Sequence, residues 1–359
     1  MEKDYILWLS NIDGVGPKTI EKLLSIFGTA EGVFNSPTNQ LHNVRGIKQE
    51  TIHNIEKKRE HKYIDHLKNQ LKTLSIDILY KGEKDYPEYL KNIYDAPYIL
   101  YKRGNIQNND MNAIAIVGAR KASPYGKWVA YKFAGELAKR GITIISGMAY
   151  GIDTAAHRGA LDSGGRTIAV MGCGLDTCYP KSNYQLMQNI IGSGAILSEY
   201  PVGVQPIAGN FPARNRIISG LVKGVLVVEA SENSGSLITT EFALEQGREV
   251  FAIPGNINCT LSQGSNRLIK EGAKLTTCVE DILEELNIFP EIKKSNKELP
   301  NLSGLEAQIY KYVEDKQPVP LELALRDLNL SVNNMYSIIT ILQLKGLIEQ
   351  LPGKILIVK

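Results

Sequence analysis

From Ala113 to Gly255, short apolar runs alternate with glycine-bearing turns and helical stretches. AIAIV, ITIIS, TIAVM, VLVVE and VFAI each end in a loop carrying glycine, arginine, lysine or serine. This pattern predicts strands near 113–117, 142–146, 167–171, 195–198, 225–229, 249–253 and 274–276, with helices between most of them. The fold class it implies is α/β, a doubly wound sheet. In such a sheet the loops after the strands open on one edge, and ligands bind near the point where strand order reverses.

The flanks read differently. Ile76–Tyr80 and Tyr98–Tyr101 are extended segments separated by turns at Pro87 and Pro97, placed to edge or buttress the main sheet. The first seventy residues read as short helices joined by glycine turns. Ile12–Lys18, followed by Ile20, Leu23, Leu24, Ile26 and Phe27, has the form of a helix-hairpin-helix. Val44–Ile47, followed by Ile52 and Ile55, repeats it with a single glycine in the turn. Glycines in that motif let the turn approach a backbone phosphate, and the next helix offers its first amides to the anion. The same residues serve equally as turns packing a small bundle. Asn287–Ser303, rich in Lys, Glu, Asn and Pro, reads as a linker. Leu305–Lys359 reads as three helices and a hairpin closing on Lys354–Val358, similar to a winged helix-turn-helix. The helix expected to read DNA, Val332–Leu344, contains no Lys or Arg, although duplex docking usually needs cationic phosphate contacts.

Composition narrows the classes. A chain of 359 residues with 43% hydrophobic residues can bury an α/β core and still build one or two small domains. The net charge of +3 is too small to hold a polyanion by overall field, so nucleic-acid affinity would need cations gathered locally. The charged start MEKDYILWLS and the lack of an 18-residue apolar run point away from a signal peptide or membrane span and toward a cytoplasmic protein. Cys173, Cys178, Cys259 and Cys278 form no CxxC pair and have no companion histidine cluster, which favours free thiols over zinc ligands.

The turns carry the candidate chemistry. After the first strand of the series comes Gly118-Ala119-Arg120-Lys121-Ala122-Ser123-Pro124, with Arg120 where a dinucleotide fingerprint needs its second glycine. No GxxxxGK[ST] occurs, which argues against a P-loop. Arg120 stands where a guanidinium can fork two phosphate oxygens, and Ser123 where it can cap the next helix. Ser234-Gly235-Ser236 precedes another helix and either leaves amides open to an anion or is an ordinary serine cap. Arg214 and Arg216, flanking Asn215, are either phosphate clamps or partners of acids such as Glu199 and Glu229. Tyr179–Tyr184 joins Lys181 to Tyr184, a cation for a phosphate and a ring for a base. Asp153 fits a helix N-cap and His157 falls one turn further on, so neither reads as catalytic. The expectation is a phosphate-binding protein without a nucleophile, metal or cofactor.

Together VGARKASPYG, SGMAYGIDTAAH, VMGCGLDTCYPKSN, FPARNRIISGL, VVEASENSGSLITTEFALEQGREVFAIPGN and QGSNRLIKEGA closely resemble the DNA-processing protein A family (DprA/Smf) over roughly Ile76–Leu286. The resemblance implies a helical SAM/helix-hairpin-helix-like domain over 1–70, an extended Rossmann-like DNA-binding domain over 71–286, a linker over 287–303 and a winged-helix domain over 304–359. It further implies a non-enzymatic homodimer that binds single-stranded DNA and loads the RecA recombinase onto incoming strands in natural transformation, against single-strand binding protein. By this resemblance Arg120 and Lys181 are the foremost phosphate ligands, with Lys121 and Ser123 beside the first and Asn183 and Tyr184 beside the second. Arg214, Asn215, Arg216, Ser234, Gly235 and Ser236 complete the expected groove. The sheet also resembles lysine-decarboxylase-like phosphoribohydrolases, whose PGGxGTxxE motif corresponds here to Ser234–Glu241 without the double glycine. That competing reading would make the chain a nucleotide-cleaving enzyme.

Overall fold

Apolar runs too long to alternate in and out must be covered on both faces, and the structure places them accordingly. The computed structural model describes residues 1–288, 302–316, 319–328, 330–351 and 355–358. The expected linker over 287–303 falls mostly outside the described residues, as does Lys354 of the expected closing strand. The chain divides into two compact units, Met1–Glu291 and Ile292–Lys359.

The first unit opens with helices α1 (Glu2–Ser10), α2 (Pro17–Phe27), α3 (Ala30–Asn35), α4 (Thr38–His42), α5 (Gln49–Lys57) and α6 (His61–Thr73). Gly14 turns the first hairpin at φ 86° and Gly46 the second at φ 77°. The first turn lies against α5, since a Cβ on Gly14 would come within 2.6 Å of Thr51 Oγ1. Asn54 donates to the Asp13 carbonyl at 3.2 Å, and Lys58 pairs with the Asp13 carboxylate at 3.1 Å. This helical region shares one apolar core with the sheet, where Trp8, Leu9 and Ile55 belong to the same cluster as Tyr101, Met148 and Met171.

The sheet follows as β1 (Asp77–Tyr80), α7 (Glu88–Lys91), β2 (Ile99–Gly104), β3 (Ala113–Val117), α8 (Pro124–Lys139), β4 (Thr143–Ser146), α9 (Ile152–Asp162), β5 (Thr167–Val170), α10 (Tyr184–Ser193), β6 (Ala195–Ser198), α11 (Asn210–Gly220), β7 (Gly224–Val227), α12 (Gly235–Glu245), β8 (Glu249–Ala252), α13 (Gln263–Lys270), β9 (Lys274–Leu275) and α14 (Val279–Glu285). Its strand order is β1-β2-β6-β5-β4-β3-β7-β8-β9. The seven strands from β3 onward pair in parallel, while β2 runs antiparallel to β6 and β1 to β2. The two extended segments thus form the antiparallel edge.

Alternate residues of β3 enter opposite cores. Ala113, Ala115 and Val117 meet α11, α12 and α13 through Ile217, Leu237 and Leu268, while Ile114 and Ile116 meet α8, α9 and α14 through Phe133, Ala156 and Ile282. Each large apolar side chain buried in this way contributes roughly 1.5–3 kcal/mol. From β3 the chain winds through β4, β5 and β6 on one side, then returns to β7, β8 and β9 on the other. Strand order therefore reverses between β3 and β7.

The second unit contains α15 (Gly304–Lys316), β10 (Val319–Pro320), α16 (Leu321–Leu328), α17 (Val332–Leu344), β11 (Ile348–Leu351) and β12 (Ile355–Val358). Its strands pair antiparallel in the order β10-β12-β11, a winged-helix arrangement. β10 is too short to register in the sequence pattern. Met335, Ile339 and Leu342 turn α17 into the core, and its exposed face presents Asn333, Asn334, Tyr336, Ser337, Thr340 and Gln343.

Candidate nucleic-acid interface

The loops after β3 and β7 flank the reversal of strand order, and a cavity of about 650 Å³ opens there. Its wall includes Arg120, Lys121, Asp153, Tyr179, Phe211, Arg214, Asn215 and Ser234–Ser236. Three turns from distant parts of the chain meet at this one crevice.

The Gly118–Pro124 turn is fastened to the end of β7. Ala119 N–H donates to the Glu229 carbonyl at 2.7 Å, and the buried Glu229 carboxylate accepts from Ser123 N–H at 2.9 Å and from Ser123 Oγ. Ser123 Oγ in turn accepts from Gly126 N–H at 3.0 Å as the cap of α8. The carboxylate fits because residue 126 lacks a Cβ, which would stand 2.3 Å from Glu229 Cδ. The turn therefore projects Arg120 and Lys121 outward. Arg120 lies with its guanidinium 5.1 Å from the centre of the Phe211 ring. Among the described residues no carboxylate lies within ion-pair distance of Arg120, Lys121 or Lys181, so these cations face solvent unneutralised.

Two buried arginines on α11 brace the floor. Arg214 donates from Nη1 to the carbonyls of Gly147 and Val170, and from Nε to Asn215 Oδ1 at 3.2 Å. Burial draws the Arg214 pKa down to about 10, which leaves it charged at neutral pH. Arg216 pairs with Glu199 and, at 3.0 Å, with Asp95, so it stands as a partner of acids and not as a phosphate clamp. Glu229, the other expected acid partner, is held by Ser123 instead. Asn215 reaches the Gly235 carbonyl at 3.4 Å and ties α11 to the start of α12.

Ser234 caps α12 by accepting from Ser236 N–H, and the two hydroxyls meet at 2.7 Å. The N–H of Gly235 finds no acceptor among the described residues, which leaves the positive end of the helix open to the crevice. Asp153 differs from expectation. Gly151, at φ 79°, is the residue before α9, and Asp153 sits one residue inside the helix, accepting from Ala149 N–H at 3.2 Å. Burial pushes its carboxyl above the usual range, opposed by the Arg214 charge. His157 is fully buried, and burial with the neighbouring Arg214 charge holds its pKa down at about 3. It has no access to a bound molecule.

The Tyr179–Tyr184 segment divides its residues. Tyr179 enters the crevice and lies 5.3 Å from Phe211, ring centre to ring centre, just before a cis bond to Pro180. Lys181 and Tyr184 are exposed outside the crevice wall, with Tyr184 58% exposed. Asn183, expected to touch DNA, is buried and donates to the Met148 carbonyl at 3.1 Å and to Thr154 Oγ1 at 2.8 Å. It fixes the loop. Ser123 and Ser236 likewise bond to neighbours, and Arg216 turns Nε and Nη2 to Asp95 and Glu199. Phe211 and Tyr179 were not singled out in the sequence, although the FP and YP pairs that carry them are visible there. Glu241, required by the nucleotide-cleaving reading, is exposed on α12 and absent from the crevice wall. Among the described residues no group of three or more His, Cys, Asp or Glu is placed to hold a metal ion, and no helix is long and apolar enough to cross a membrane.

The chain is 51% identical over 200 residues to DNA processing protein DprA of Streptococcus pneumoniae, covering 56% of this chain and 71% of that one. An X-ray structure of DNA processing protein A from the same organism superposes with a TM-score of 0.67 at 38% identity, covering 79% of this chain and 97% of that one. DNA processing protein A of Helicobacter pylori, whose structure addresses a single-stranded DNA binding mode, gives a TM-score of 0.54 at 33% identity, covering 59% and 95%. A family model for the DprA winged helix domain matches residues 293–354. With the family model for DNA recombination-mediator protein A matching residues 77–287, the chain belongs to the DNA recombination-mediator protein A (DprA/Smf) family.

Proposed function

We propose that the crevice between the β3 and β7 loops is the seat of a single DNA strand, and that the protein hands that strand to the RecA recombinase. The observation that carries this reading is the unneutralised pair Arg120 and Lys121 in the crevice wall, with the Arg120 guanidinium over the Phe211 ring and the open amide of Gly235 in the same wall. A guanidinium and a helix start recognise phosphate, and an aromatic floor accepts a base without reading its identity. Lys181 extends the cationic track beyond the crevice, and Tyr184 offers a further ring. Arg214, Arg216, Asn183, Ser123 and Ser236 hold these groups in place instead of touching the strand.

Membership of the recombination-mediator family supports the wider role. A mediator that protects incoming single strands in natural transformation, and loads RecA in place of single-strand binding protein, must bind without sequence preference and release without chemistry. Dimerisation would add avidity to a groove that supplies few cations per protomer. The exposed face of α17, lacking Lys and Arg, supports a protein contact for the winged helix over duplex reading.

Arg120→Glu tests the groove, because the side chain is exposed and its loss leaves the Glu229 clamp intact. The variant is expected to lose most affinity for a labelled oligothymidylate at moderate salt while its thermal unfolding matches the parent. Parent-like binding would show that the strand lies elsewhere.

A further inference from the structure

A second cleft of about 660 Å³ lies across the α8–α9 face, walled by Lys127, Trp128, Tyr131, Tyr150, Arg158 and Asp162 among others. Three large rings stand open to solvent there, Trp128 at 57%, Tyr150 at 52% and Tyr131 at 42%. Exposing so much aromatic area costs solubility unless something covers it. The cleft exists because α8 and α9 pack unusually closely. A Cβ on Gly159 would stand 2.1 Å from the Tyr131 carbonyl, and one on Gly135 would stand 2.6 Å from Ser163 Oγ. This approach merges the outer rows of both helices into one surface.

Charge identifies the occupant. Lys127 and Arg158 have no ion pair among the described residues, and Lys132 lies 5.3 Å from the centre of the Trp128 ring. Lys132 also approaches Glu136 at 3.7 Å, on the same helix. Asp162, the acid in the cleft wall, accepts from the Tyr131 hydroxyl at 3.0 Å. Rings interleaved with free cations match a chain of bases and phosphates better than an apolar protein surface.

The cleft also continues the first. Gly151 lies so close to the Arg120 turn that a Cβ on it would stand 2.3 Å from the Ala119 carbonyl oxygen. Ser182 and Asn183 line the second cleft, and Tyr179 of the same loop lines the first. One turn and one loop are therefore shared by both.

We propose that the α8–α9 cleft carries a single nucleic-acid strand onward from the Arg120 crevice, with Trp128 and Tyr150 stacking bases and Lys127 and Arg158 meeting phosphates. The inference rests on the proposed groove and extends its length.

The protein contains its own reporter. Of its two tryptophans, Trp8 is fully buried with its indole N–H donating to the Lys58 carbonyl, so Trp128 alone faces solvent. Using the full-length chain, oligothymidylates of ~4 and ~16 nucleotides separate the two clefts by reach. The longer one is expected to quench tryptophan emission and the shorter one to leave it unchanged. Trp128→Ala with Tyr150→Ala is expected to weaken the longer oligomer about tenfold while sparing the shorter. Trp128→Phe with Tyr150 intact keeps a stacking ring and should retain most of the affinity. Undiminished binding of the longer oligomer to the double variant overturns the proposal. So does a change in sedimentation without a change in that affinity, which would make the face a protein contact. Failure of the groove itself reads differently: the shorter oligomer would then bind Arg120→Glu as it binds the parent, and the continuation would fall with it.

Discussion

His157 shows how a single buried residue ties the site to stability. Thr167 Oγ1 donates to the Ile144 carbonyl, so at 2.6 Å it must accept from His157 Nδ1, which makes the ring the Nδ1–H tautomer. Nε2 then carries a lone pair in a buried place without a partner among the described residues. A second proton there would sit unsolvated near Arg214, which is why the pKa falls to about 3. Because the folded value lies below the unfolded value near 6.5, the unfolded chain binds the proton first. Stability from this group is full above pH 6.5 and is lost as pH falls toward 3. Between pH 7 and pH 5 the loss is about 2 kcal/mol. His157→Leu removes the titration, so its unfolding free energy from urea melts should fall less than the parent's over the same interval. Equal losses would mean that other groups set the acid limit.

At the scale of elements, the approach of α8 to α9 depends on glycine. Gly159→Ala must either push the helices apart or shift the Tyr131 backbone, a form of overpacking that costs roughly 1–3 kcal/mol. A drop of that size in the unfolding free energy from urea melts, with weaker binding of the long oligomer, is the expected result; an unchanged value would show that the helices separate freely. Elements of this kind were largely legible in the sequence. The seven parallel strands and α17 were legible because periodicity and glycine turns are local signals. Which polar side chains face the groove was not legible, since that depends on partners far along the chain. Ser123 is claimed by Glu229, Arg216 by Glu199 and Asp95, and Asn183 by Met148 and Thr154. The family resemblance puts all three in the groove, although the residues alone also allow Ser123 as a cap and Arg216 as a partner of Glu199, and only the fold decides between these roles. Asp153 likewise needed three-dimensional context, because Gly151 at positive φ starts the helix two residues earlier than a capping aspartate would.

At the scale of the whole molecule, 41 basic residues against 38 acidic ones leave little long-range field, so binding is governed by the few cations that escape pairing. Each phosphate contact with a single strand contributes about 0.7 to the slope of log affinity against log salt. If the proposed groove holds the strand, three or four contacts in a protomer, drawn from Arg120, Lys121 and Lys181 with help from Lys127 or Arg158, are expected to give a slope of about −2 to −3. Arg120→Ala should reduce the magnitude of that slope by about 0.7. Trp128→Ala should instead lower affinity by a similar factor at every salt concentration, because stacking releases no counterions. Fluorescence anisotropy of a long oligothymidylate across a salt series measures both quantities in one experiment. Parallel lines for the parent and Arg120→Ala would remove that arginine from the phosphate track. A slope that flattens in Trp128→Ala would mean that the ring orders a neighbouring cation, with Lys132 the first to examine, since its amine already lies over Trp128.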